Sequence, residues 1–62
     1  MRVIIDYTNH RGERNERRIS PITLGFSSPH HPAEFVILAF DLDKKEERTF
    51  ALKNIHSWRE EL

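Results

Sequence analysis

Four stretches of this chain carry apolar residues in the pattern of strands. Val3, Ile5 and Tyr7 alternate with Ile4, Asp6 and Thr8, the period-two signature of a strand with one buried face. Asn9-His10-Arg11-Gly12 supplies a turn, since asparagine and glycine both accept the left-handed backbone that tight turns demand. A second extended segment runs from Arg17 to Leu24. In it Ile22, Leu24 and Phe26 share one parity and Ile19 has the other, with Pro21 between. Proline has no N–H to give to a ladder, so this strand is expected to bend, bulge or lie at an edge around Pro21. Ser27-Ser28-Pro29-His30-His31-Pro32 reads as a loop, because its prolines exclude helix and central strand alike. Phe35 to Phe40 is apolar at every position, and its β-branched and aromatic content favours strand over buried helix. Asp41 to Glu46 is a charged hairpin connection, after which Arg48, Phe50 and Leu52 alternate with Thr49, Ala51 and Lys53. Ile55 to Trp58 is either a short fifth strand or a last turn, and Glu60-Glu61-Leu62 a fraying end. Strands are thus predicted at roughly residues 2–8, 16–24, 34–41 and 47–54. So many short strands in so few residues predict an all-β domain, a small, partly open barrel of four to five strands.

Length and composition narrow the picture. Sixty-two residues make one domain, residues 1–62, with a core so small that every large apolar side chain counts. The absence of cysteine removes disulfides and thiolate metal sites together, and favours the cytoplasm over secretion. No signal-like segment opens the sequence and no apolar run approaches the ~20 residues that span a bilayer, so no membrane role is expected. Ten basic residues balance ten acidic ones, but Arg11, Arg14, Arg17 and Arg18 crowd one stretch. Their planar guanidinium groups suit phosphate and carboxylate.

Candidate chemistry is sparse. Ser27 and Ser28 lie near His30 and His31, yet nothing there supplies the rigid scaffold and orienting third group that nucleophilic catalysis needs. Adjacent histidines on an extended chain point to opposite sides, which disfavours a shared metal with His10 or His56. No enzyme activity, metal or cofactor is expected. Tyr7 shares the parity of Val3 and Ile5, which predicts a core ring with its hydroxyl at the margin. Arg48 shares a face with Phe50 and Leu52, and an inward-leaning arginine costs free energy unless an acid or a ligand pairs with it. Asp6 or Asp41 would make that a structural ion pair; an anion site is the alternative. The single tryptophan, Trp58, either caps an open barrel mouth or offers a stacking surface. One apolar set of the third strand, Val36, Leu38 and Phe40 or Phe35, Ile37 and Ala39, must face away from the core and be covered by the tail, the loop or another chain.

Taken in order, Ile5-Asp6-Tyr7, Gly12, Arg17, Ile19-Ser20-Pro21, Leu24, Ala39-Phe40-Asp41, Arg48-Thr49-Phe50-Ala51-Leu52 and Ile55 resemble a WYL domain over nearly the whole chain. The resemblance implies a small barrel similar to the Sm and SH3 folds. Such domains are usually appended to bacterial helix-turn-helix transcription regulators and occur also in phage-defence and helicase proteins. They are thought to sense a ligand, in several cases single-stranded nucleic acid, through a basic patch. The matching positions are Tyr7, Arg17, Pro21 and Arg48, with Phe50 as a core anchor. Two segments depart from the pattern. Phe35-Val36-Ile37 stands where the family has Trp-Tyr-Leu, and Lys53-Asn54 where it has Asp-Arg.

The expectation is therefore a non-enzymatic, cytoplasmic sensing or binding domain. Its ligand is a nucleic acid or another anion, gripped by Arg17, Arg48 and a flanking Arg18, with Tyr7 beside them. The alternative is a protein–protein or homodimerisation module that works through strand 35–40.

Overall fold

The computed structural model describes residues 1–27 and 34–62. Five strands form one antiparallel sheet: β1 (Val3–Thr8), β2 (Arg14–Ser27), β3 (Glu34–Asp41), β4 (Glu46–Ala51) and β5 (Ile55–Glu60), ordered β4-β3-β2-β1-β5. A three-residue 3-10 turn, Leu52–Asn54, joins the last two. The fold is all-β, as the alternation predicts.

β2 is the spine. Its first half pairs with β1, Ile19 opposite Val3 and Arg17 opposite Ile5, and the rest pairs with β3. Between Pro21 and Thr23 the register shifts by one residue. This bulge resolves the conflict of parities in the sequence. Before it Ile19 faces inward; after it Leu24 and Phe26 lie opposite Ile37 and Phe35 and so share that same face. With the bulge absorbing the proline, the strand continues to Ser27, beyond the expected residue 24.

The sheet curls onto its own inner face. Two strands lie between β1 and β4, so about 14 Å would separate them in a flat sheet at ~4.8 Å per strand. Yet the rings of Tyr7 on β1 and Phe50 on β4 meet edge to face, centroids 5.0 Å apart. The core sits in this fold-over: Val3, Ile5, Ile19, Ile37, Ala39 and Phe50, with Tyr7 and Ile55 packed against it. Odd-numbered residues of β3 thus face inward, and Val36, Leu38 and Phe40 form its outer set.

Two further boundaries differ from the sequence reading. β4 ends at Ala51 instead of running to residue 54, and Leu52 is partly exposed and not a third inward residue after Arg48 and Phe50. The chain must turn a corner there to bring β5 alongside β1, and the tight 3-10 turn makes it. The end does not fray at Glu60: β5 pairs with β1 as far as Glu60 opposite Val3, and the Glu61 N–H donates to the Arg2 carbonyl.

Candidate functional site

A basin of about 530 Å3 lies along the free edge of β4. Its lining takes Arg48, Thr49, Phe50 and Ala51 consecutively from that strand. Successive residues of a strand point to opposite faces, so only a cavity running over the strand's edge meets all four. The opposite bank is the β1–β2 turn with Arg17 behind it, and Tyr7 closes one end. The other lining residues include Glu34, Val36, Lys44 and Asn54.

Local sequence fixes both banks. In the β1–β2 turn the Asn9 side-chain oxygen accepts from the Arg11 and Glu13 N–H groups, and Gly12 takes a φ of +83°. This presents His10, Arg11 and Glu13 to the basin. In the β3–β4 turn one oxygen of Asp41 accepts from the N–H groups of Asp43 and Lys44, each at 3.0 Å. The other Asp41 oxygen has no hydrogen-bond partner and lies 3.8 Å from an Arg17 nitrogen. Asp41 is the buried charge among the described residues, and it ties the turn bearing Lys44 to the arginine on the far bank.

Four cations, Arg11, Arg17, Lys44 and Arg48, face two acids, Glu13 and Glu34, around the cavity. Glu34 lies 3.2 Å from Lys53, and Arg48 pairs with its strand neighbour Glu46 at 3.1 Å. Neither Asp6 nor Asp41 is the partner of Arg48: Asp6 is held by Arg14 through two hydrogen bonds, and Asp41 by Arg17. Among the described residues Arg11 and Lys44 form no ion pair. The basin therefore offers a net positive field and guanidinium donors still open to solvent.

Of the expected site residues, the structure brings Tyr7, Arg17 and Arg48 together and leaves Arg18 out. Arg18 lies opposite Ile4 on the outer face, as alternation next to an inward Arg17 requires. There Glu61 takes two of its hydrogen bonds, and Asp43 a third. Each partner stabilises the other's charge: the Arg18 hydrogen bonds hold the Glu61 carboxyl below its ordinary range. Tyr7 plays the double part expected of it. Its ring packs on Phe50 and its hydroxyl accepts from the Ala51 N–H at 3.4 Å. Lys44 carries no signal in the sequence and Arg11 only that of a crowded stretch, because neither lies on a strand and no parity places them.

Three of the six histidine and serine candidates, Ser28, His30 and His31, lie outside the described residues. His10 borders the basin, and His56 shares a 2.7 Å hydrogen bond with Thr8 on the other side of the sheet. No group of three or more His, Asp or Glu side chains comes together among the described residues. Nor is any helix there long and apolar enough to cross a membrane.

A second, apolar surface opens at the other end of the inner face. Leu24, Phe26 and Phe35 are more than half exposed, with the two rings 5.1 Å apart, edge to face. Beyond Ile37, a shallow groove is lined by Leu52, Ile55 and Trp58. The apolar excess of residues 35–40 thus shows most strongly on the inner face at Phe35, and less on the outer set, where Val36 and Leu38 are half-buried.

The family model of the WYL domain matches residues 1–60. No curated protein and no solved structure matches the chain.

Proposed function

The chain belongs to the WYL domain family, and on that footing we propose that it is a non-enzymatic regulatory domain that binds an anionic ligand in the basin along β4. The observation that carries this reading is a convergence. The three matching polar positions Tyr7, Arg17 and Arg48, and the two departures Val36 and Asn54, all line this one cavity. Positions 36 and 54 are where the resemblance expects a tyrosine and an arginine, so this is the family-type ligand site with two of its groups changed. Arg17 and Arg48 supply charge-assisted hydrogen bonds, with Arg11 and Lys44 adding to the field. Single-stranded nucleic acid is the first ligand to test, and transcription regulation in the cytoplasm the setting the family suggests.

Titration with a fluorescent single-stranded oligonucleotide at rising salt tests the reading. Phosphate contacts release counterions, so affinity should fall steeply with salt, and amide shifts should cluster at Arg11, Arg17, Lys44 and Arg48. No binding of any polyanion at low salt sinks it.

A second reading, a protein-interaction module, is favoured by the exposure of Leu24, Phe26 and Phe35. Apolar association through that face would persist at high salt, which separates the two.

A further inference from the structure

We propose that the basin's ligand is an acidic peptide segment in extended conformation, added as a sixth strand to the free edge of β4. The proposal rests on the anion-binding reading above and names the class of partner. Three observations carry it.

The first is the edge itself. In an antiparallel pair the residues of one strand turn their N–H and C=O groups alternately toward and away from the partner. The Ala51 N–H points away from β3, because Tyr7 on β1 receives it. By the same alternation Thr49 and Glu47 also turn their backbone groups outward, while Arg48 and Phe50, opposite Ala39 and Ile37, turn theirs to β3. Thr49 lines the basin, so its cavity has unpaired donors and acceptors along one wall. A peptide strand supplies both kinds of partner; a phosphodiester backbone accepts hydrogen bonds but has none to give.

The second is charge. Arg11, Arg17, Lys44 and Arg48 surround this edge and call for an acidic partner, while Glu13 and Glu34 leave places for its N–H donors. The third is what the basin lacks for nucleobases. Of its rings, Phe50 is buried and Tyr7 meets it edge to face, which leaves the exposed imidazole of His10 as the stacking surface in the lining, short of the row of rings that successive bases need. Val36 and Asn54 remove a further ring and a further cation at the positions where the family carries them.

The test compares two probes on the intact chain at low salt. One is an acetylated, amidated peptide of alternating glutamate and threonine, about six residues long, the usual length of a strand. The other is an oligothymidylate of the same charge. The peptide should bind, protecting the Thr49 amide from exchange. Methylating its alternate backbone nitrogens should weaken binding at least tenfold with charge unchanged. Thr49→Pro removes an outward N–H that β3 does not use, so it should weaken the peptide by a similar factor and leave oligonucleotide binding as it was. The methylated peptide gives the same information with the protein unaltered, should that variant fold poorly. Equal binding of methylated and unmethylated peptide, or binding of the oligonucleotide alone, overturns the strand-addition proposal and leaves the anion site standing. Binding of neither probe removes the anion site as well.

Discussion

Arg17 reaches to within 3.8 Å of Asp41, and the two span β2 and β3 beneath the basin, the acid buried and the arginine about one-fifth exposed. A carboxylate in that position needs compensation, and it finds it in two turn N–H groups and one guanidinium. Asp41→Ala removes all three interactions and should lower stability by about 2–3 kcal/mol, because two inward N–H groups lose their acceptor. Asp41→Asn keeps an oxygen for those N–H groups and should cost roughly half as much. Urea unfolding of the two variants measures the difference. Equal losses would mean that the ion pair, not the turn, carries the effect.

Phe50 is the ring on which the curl of the sheet closes. It is 2% exposed, lies opposite Ile37 and meets Tyr7 from across the seam. Phe50→Ala should cost about 3–5 kcal/mol, which for so short a chain is comparable with its whole stability. The expected outcome in thermal melting is a variant largely unfolded at room temperature. A Tm within a few degrees of the parent would place the core elsewhere.

Two turn residues have positive φ, Gly12 at +83° and Lys45 at +57°. A Cβ at Gly12 would meet nothing within 4 Å, so the cost of Gly12→Ala is backbone strain alone, about 1–2 kcal/mol. Lys45→Gly relieves the same strain and should leave stability level or slightly raised, less the entropy that glycine adds to the unfolded chain. Melting of both variants checks the pair. The Gly12 variant should also displace Arg11 and weaken anion binding.

Two half-buried carboxylates respond to pH. Hydrogen bonding from Arg18 lowers the pKa of Glu61, and hydrogen bonding from Arg14 lowers that of Asp6. A carboxyl with a folded-state pKa below its unfolded value contributes stability that is present above the unfolded value and is lost as pH falls through the folded one. Stability should therefore be level above about pH 5 and decline on acidification below the ordinary carboxylate range. About 1 M salt should flatten the decline, since both pairs are open to solvent. Glu61→Gln should remove part of it. A decline unaffected by salt or by that variant would assign it to another group.

Much of this was legible in the sequence, for identifiable reasons. Alternation in Val3-Ile5-Tyr7 predicts the first strand, and alternation in Arg48-Phe50 predicts the fourth and the face that Arg48 occupies, because a strand's period is two. Pro21 announced the bulge, since it lacks the N–H that a regular ladder needs. Arg18 lies apart from Arg17 because alternation sends neighbours to opposite faces, so a cluster of arginines along the chain is not a cluster in space. The acid that bonds Arg48 is neither Asp6 nor Asp41 but Glu46, two residues away on the same strand, a pairing that face parity alone does not single out. The contributions of Arg11 and Lys44 depend on how two turns close, and no periodicity reports that.

Arg48 is where the account is most exposed. Its side chain lines the basin, is 42% exposed, and among the described residues has only the still more exposed Glu46 as ion-pair partner. Breaking a pair of that kind should change stability by no more than about 0.5 kcal/mol. The decisive measurement is therefore Arg48→Ala, assayed on one sample for melting temperature and for binding of a polyanionic probe at low salt. Tm should be unchanged and affinity reduced about tenfold or more, the loss of a charge-assisted contact. A variant that binds as the parent does, or one that melts far lower, would contradict it and leave Arg48 as part of the scaffold.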